Sequence, residues 1–275
     1  MEEENYQDIQ LTVETAIANL QQQEDLGQRY YAAWWLGRFR VKESRAITAL
    51  IMALEDEEDR APDGGYPLRR NAARALGKLG DKQAVEPLIR CLSFPDYYVR
   101  EAAAQALEML QDPRAITPLS KLLEGGLAAA QTVPGKPHLV QPYEAIIEAL
   151  GGLKATSAIT KCREAIALIE PFLEHFLPKV KYAAAKAMYQ LTQNPVYGEL
   201  LIKALSGDEL QLRRSALMDL GASGYLPGAE AIATTLAENS LKLMALKGLL
   251  EHQLNQDSSI TEETIRLMDL MDGLL

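Results

Sequence analysis

The sequence predicts an all-α fold, an α/α superhelical solenoid of about seven repeats. Three observations lead there. The phrase LRRNAARALGKLGD at 68–81 returns as VREAAAQALEMLQD at 99–112, and KQAVEPLIRCL at 82–92 returns as PRAITPLSKLL at 113–123, at a constant offset of 31 residues. Each phrase pair reads as two short apolar helices and a turn, a unit that buries its apolar stripe only against neighbouring units. The first phrase also recurs more loosely, with one position that is mostly basic: Arg29, Arg69, Arg100, Tyr143, Lys181, Arg213 and Lys242.

The elements follow in order. A helix at about 8–22 caps the array, and RYYAAWWLGRFR at 29–40 opens the first repeat. EDEEDRAPDGGYP at 55–67 interrupts the period before the two clear repeats; EGGLAAAQTVPGKPHLVQP at 124–142 interrupts it after them. Insertions of this length are uncommon in compact folds. These two are expected to be more mobile than the helices, pivoting at Gly64-Gly65 and Gly125-Gly126. YEAIIEALGGLK at 143–154, VKYAAAKAMYQL at 180–191, LRRSALMDLG at 212–221 and LKLMALKGLL at 241–250 complete a single domain over 1–275.

Within the 69–79 helix, Ala72, Ala73, Leu76 and Leu79 form the core stripe, while Arg70, Asn71, Arg74 and Lys78 fill slots that vary between repeats. By the same register Trp35 and Phe39 occupy core slots. Tyr30, Tyr31, Trp34 and Arg38 occupy variable ones and meet solvent or a ligand, unless the N-terminal helix folds back over them. With Arg70, Arg74 and Lys78 they make an aromatic and basic patch suited to a planar conjugated ligand bearing carboxylates, or to a partner protein. The basic slot itself is structural: Arg69 and Arg100 precede Asp81 and Asp112 at one spacing, which predicts a lattice of inter-repeat hydrogen bonds and ion pairs.

Composition narrows the function. A net charge of −10 and a pI near 5.0 argue against nucleic acid or an anionic membrane as partner. No apolar run approaches the ~18 residues of a membrane span, and the acidic start MEEENYQD is unlike a signal peptide. Cys91 and Cys162 are too few and too far apart for a disulfide framework, so a reducing, cytoplasmic setting is expected. His138, His175 and His252 form no metal-binding spacing, and no serine sits in a nucleophile elbow. Cys91 aligns with Leu122, a core slot. A stand-alone hydrolase is therefore disfavoured.

The phrase VREAAAQALEMLQDPRAITPL resembles the HEAT-like repeats of phycobilisome lyases. RYYAAWWLGRFR, an acidic loop and YPLRRNAARALGKLGD together resemble the E subunits of the E/F-type phycocyanobilin lyases. The resemblance implies a chain active only with an F-type subunit, itself a shorter HEAT-like protein. It implies phycocyanobilin as substrate, with no tightly bound cofactor, attached reversibly through a thioether to a cysteine of the phycocyanin α subunit. The acceptor thiol is then the nucleophile, and an acid near the pyrroles, such as Asp59 or Asp63, would favour the protonated bilin. The bilin itself would lie on Tyr30, Tyr31, Trp34, Arg38, Arg70 and Arg74. Two alternatives stay open: a subunit of the related phycoerythrocyanin lyase-isomerase, and a non-enzymatic HEAT-like adaptor.

Overall fold

A computed structural model describes residues 11–62, 64–153, 159–256 and 259–275, and of 159–162 the backbone alone. The chain gathers into two compact units, up to Ala115 and from Ile116 onward. The first holds α1 (Val13–Gln21), α2 (Leu26–Arg38), α3 (Ser44–Ala53), α4 (Pro67–Leu79), α5 (Val85–Cys91) and α6 (Tyr97–Leu110), with a 3₁₀ turn ahead of α5 and another after α6. The second holds α7 (Ile116–Lys121), α8 (Gly126–Ala129), α9 (Tyr143–Gly152), α10 (Ile159–Ile169), α11 (Pro178–Thr192), α12 (Pro195–Ala204), α13 (Leu210–Ser223), α14 (Ala229–Thr234), α15 (Asn239–Gln256) and α16 (Glu262–Asp272). The predicted repeat phrases at 29–40, 68–81, 99–112, 143–154, 180–191, 212–221 and 241–250 coincide with α2, α4, α6, α9, α11, α13 and α15, the first helices of their repeats.

Local chemistry sets the helix ends. Asp25 and Asp96 accept from the backbone N–H of Gln28 and Val99 at 3.0 and 2.9 Å, capping α2 and α6. Pro67 opens α4, where a missing N–H costs nothing, and Gly80 closes it in the left-handed region.

The first helices stack through a notch. Gly37, Gly77, Gly151 and Gly221 stand eight residues past the basic slot in their repeats. A Cβ built on Gly37 would lie 2.7 Å from Ala75 Cα, on Gly77 2.8 Å from Ala106 Cα, on Gly151 2.7 Å from Ala187 Cα, and on Gly221 2.7 Å from Ala245 Cα. Backbone therefore packs on backbone at each of these junctions, closer than larger side chains allow.

The basic slot does something other than pair with Asp81 and Asp112. Arg29 donates to Leu20 O at 3.3 Å, Arg69 to Asp56 O, and Arg100 to Phe94 O and Pro95 O at 2.7 and 2.8 Å. In the second unit Arg213 donates to Gly207 O and Asp208 O at 2.6 and 2.9 Å, and Lys242 to Ala233 O at 3.1 Å. Each acceptor is a carbonyl in the last turn of the preceding helix or just beyond it, where orphaned C=O groups carry partial negative charge. Asp81 and Asp112 instead cap the following 3₁₀ turns, accepting from Gln83 N–H at 2.8 Å and Arg114 N–H at 3.0 Å. The side-chain bond from Arg114 holds the Asp112 carboxyl down at about 2.

Both insertions are tied to their units. In the first, Asp56 pairs with Arg29 at 2.6 Å, and Gly64 N–H donates to Ala61 O at 2.8 Å. The second contains α8 and a tight turn in which Val133 N–H donates to His138 O, and it buries Ala130 and Leu139. The isolated antiparallel bridge Thr132–Leu139 is its extended pairing.

Three successive first helices of the second unit share a buried charge group. Lys186 of α11 lies 2.9 Å from Glu148 of α9 and 3.3 Å from Asp219 of α13. Burial pushes the Asp219 carboxyl up to about 7; Lys186 opposes that shift, while Glu148 and Glu144 add to it.

Two outcomes follow. Gly77→Ala should destabilise the fold even though alanine gains ~0.5–1 kcal/mol of helix propensity, because its Cβ meets Ala106 within 3.0 Å; a higher midpoint in urea contradicts the notch. Because the folded pKa of Asp219 is raised, its contribution is present below the ordinary 3.8 and is lost as pH rises through about 7. Stability of wild type should thus fall between pH ~4 and ~7 more steeply than that of Asp219→Asn. Equal slopes contradict the assignment.

Candidate functional site

α2 carries two adjacent aromatic lines because its buried aliphatic residues, Ala32, Ala33 and Leu36, are interleaved with aromatic ones. The first line, Tyr30, Trp34 and Arg38, recurs at a four-residue spacing and so shares one face. Tyr30, Trp34 and Tyr31 are 43%, 41% and 50% exposed, so α1 leaves them open although it packs on α2. Tyr31 stacks on Trp34 with centroids 5.4 Å apart and planes 28° apart, which holds the indole in place.

Between α2 and α4 lies a groove of 260 Å³, lined by Tyr30, Ala33, Trp34, Gly37, Asn71, Arg74, Ala75 and Lys78. The glycine–alanine notch forms its floor, since Gly37 and Ala75 leave the space that larger side chains would fill. Aromatic rings form one wall and cations the other. Of the six residues expected to hold a bilin, Tyr30, Trp34 and Arg74 line this groove, and Tyr31 backs it. Arg38 is exposed outside the lining. Arg70 is half-buried with its guanidinium 5.0 Å over the Tyr98 ring, and its Nε has no hydrogen-bond partner. Lys78, expected in the basic patch, also lines the groove, and Asn71 and Tyr98 are the additions. Lys78 was legible as the residue four past Arg74, whereas Tyr98, on another helix, left no local signal.

Charge is unevenly matched. Arg45, Arg90, Arg114, Arg214 and Arg266 each pair with a carboxylate. Among the described residues, Arg38, Arg70, Arg74 and Lys78 have no such partner, on a chain of net charge −10. The groove can accept anionic groups that the protein does not itself supply.

Two expectations of burial are corrected, and Asp59 is located. Phe39 is 60% exposed and Trp35 only half-buried: α2 ends at Arg38, so Phe39 leaves the helix register that Leu79 keeps in α4. Asn71, expected among the slots that meet solvent or a ligand, is buried and donates to Tyr30 O at 3.3 Å, and its counterparts Ala102, Ala145 and Ala183 in later repeats are buried too. Asp59 is 4% exposed beneath its loop and does not line the groove. Burial and the neighbouring Asp56 raise its carboxyl, and its Oδ2 has no partner. For Asp56, burial acts upward but the N–H of Asp59, the Arg29 guanidinium and the N–H of Glu58 outweigh it and hold it low. Asp63 lies outside the described residues, as does the Cys162 side chain.

Cys91 is buried, which pushes its thiol up to about 11 and leaves it protonated, as a core residue and not a nucleophile. Trp34→Ala should change stability by less than ~1 kcal/mol because its ring is at the surface, whereas Leu36→Ala, fully buried, should cost ~2–5 kcal/mol. Equal losses in chemical denaturation contradict the face assignment.

Comparison with known proteins fits this arrangement. Residues 28–56 match the PBS lyase HEAT-like repeat family and residues 61–128 match HEAT repeats. A phycocyanobilin lyase subunit alpha from Nostoc sp. (strain PCC 7120) is 65% identical over 97% of this chain and 95% of its own length. The subunit alpha from Synechocystis sp. (strain PCC 6803) is 63% identical over 96% of each. The bilin biosynthesis protein PecE of the same Nostoc strain is 46% identical over 96% of each. A chain in the structure of the CpcE and CpcF complex of phycocyanin lyase from Nostoc superposes with a TM-score of 0.88 at 63% identity, covering 100% of this chain and 99% of that one. With identities of this order along nearly its entire length, the chain belongs to the phycocyanobilin lyase subunit alpha family of HEAT-like repeat proteins.

Proposed function

We propose that the chain is the E-type subunit of a heterodimeric bilin lyase, which holds phycocyanobilin in the groove between α2 and α4 and presents it to a cysteine of the phycocyanin α subunit. The observation that carries this reading is the groove itself, an exposed aromatic wall facing cations without carboxylate partners. A bilin has conjugated pyrroles to stack on Trp34 and Tyr30, with Tyr31 behind. Its two propionates suit Arg74 and Lys78, with Arg70 and Arg38 at the margins. Residues 1–275 are taken as one functional chain of repeats.

The acceptor supplies the nucleophile. Its thiol adds to the ethylidene group on ring A: the carbon–sulfur bond forms, the π bond breaks, and the proton goes to the adjacent ring carbon. The reverse elimination returns free bilin and thiol, so no other reactant is needed. Holding the bilin in a productive shape beside that thiol is the lyase's contribution. The bilin is a substrate that is passed on, not a resident cofactor. In this reading the reaction runs in the cytoplasm, where thiols stay reduced; among the described residues no helix is long and apolar enough to cross a membrane. Phycocyanin is favoured over phycoerythrocyanin as acceptor because identity to the phycocyanobilin lyase subunits is 57–65%, against 46% to PecE.

Co-expression with an F-type subunit, bilin synthesis and candidate acceptors tests this, read as covalent fluorescence. The pair should label phycocyanin α and the single chain should not. Trp34→Ala and Arg74→Ala should each lower transfer about tenfold or more with the heterodimer intact. Unchanged transfer by both variants removes the groove from the mechanism.

A further inference from the structure

The second line of α2 has a different role. Tyr31 and Trp35 share one line of α2, and Phe39, at the C-cap, extends it by packing on Trp35 with centroids 4.8 Å apart, so the three form one ridge. In the next two repeats the same line reads Asn71, Ala75, Leu79 and Ala102, Ala106, Leu110, and these residues are at most 6% exposed. They are buried because this line beds against the preceding first helix: Asn71 donates to Tyr30 O, Ala75 meets Gly37, and Ala106 meets Gly77. Among the described residues α2 is first in its series, with no such helix before it. Packing of α1 on α2 still leaves Phe39 60% and Tyr31 50% exposed. The ridge is thus a repeat-stacking face that carries aromatic rings where later repeats carry small side chains.

We infer that this ridge docks the second subunit of the heterodimer, through a helix that presents small side chains to Trp35 and Phe39. Stacked first helices run parallel, so such a helix brings its carbonyl end beside Arg40 and Lys42. Both are exposed at the C-terminal end of α2 and, among the described residues, neither has an ion-pair partner. The partial negative charge of a helix C-terminus complements them. A second copy of this chain fits poorly on the same face, since it presents bulky aromatic rings there where the later repeats meet this line with glycine and alanine. Aromatic anchors of this kind dominate interface energetics.

The inference rests on the heterodimer reading, and its test separates the two. The full chain and the F-type subunit are mixed, and their affinity is measured by titration and size-exclusion chromatography. Wild type should pair; Phe39→Glu should weaken the affinity about tenfold or more, and Arg40→Glu should weaken it less. Trp34→Ala should pair normally, and both exposed-site variants should keep wild-type circular dichroism. Unchanged affinity of Phe39→Glu and Arg40→Glu overturns the ridge while leaving the heterodimer. A homodimer that Phe39→Glu disrupts assigns the ridge to a second copy and also overturns it. Failure of wild type to pair at all sinks the heterodimer reading itself.

Discussion

The close approach of successive first helices governs the rest of this structure. Glycine in one helix and alanine in the next let backbones meet where any larger side chain would hold them apart, at Gly37–Ala75, Gly77–Ala106 and Gly151–Ala187. Such a contact gains little from apolar area alone. Its value is geometric: it sets the helix spacing, and so decides which side chains are squeezed into the core and which stand clear. Once the spacing is set, the basic slot lies against the end of the preceding helix, and its cation satisfies carbonyls that would otherwise be buried unpaired. The notch aligns the helices and the cations tie the connections to them.

The same constraint creates the site. Between α2 and α4 the notch is flanked by Tyr30 and Trp34 on one side and Arg74 and Lys78 on the other, and its small residues form the floor of a groove. In the second unit the corresponding positions on α9 and α11 hold Glu148 and Lys186, which pair with each other while Lys186 also pairs with Asp219. One geometry is used there for internal cohesion. In the first unit its charges are left for something outside the chain. That contrast between consumed and available charge distinguishes a binding surface from a structural one better than residue type does.

Much of this was legible in the sequence. The 31-residue offset located α4, α5 and α6, and the looser phrases located the remaining first helices. Cys91 was correctly placed in the core, and the exposed trio of Tyr30, Tyr31 and Trp34 was found from slot variation. Slot comparison failed where its premise fails. It assumes a preceding repeat and an unbroken helix, so it buried Trp35 and Phe39, on a helix that none precedes among the described residues and that ends before Phe39. It also paired the basic slot with Asp81 and Asp112, because backbone carbonyls leave no mark in a sequence and acidic side chains do. Asp59 and the Glu148–Lys186–Asp219 group depend on how distant segments fold together, which no local spacing encodes.

The central claim is that an aromatic and basic groove on the first repeat holds the bilin for transfer. A structure of the heterodimer with phycocyanobilin bound tests it most directly. The account predicts the chromophore between α2 and α4, with a pyrrole ring stacked on Trp34 and a propionate on Arg74 or Lys78. A chromophore bound elsewhere on the pair, with this groove empty, contradicts it.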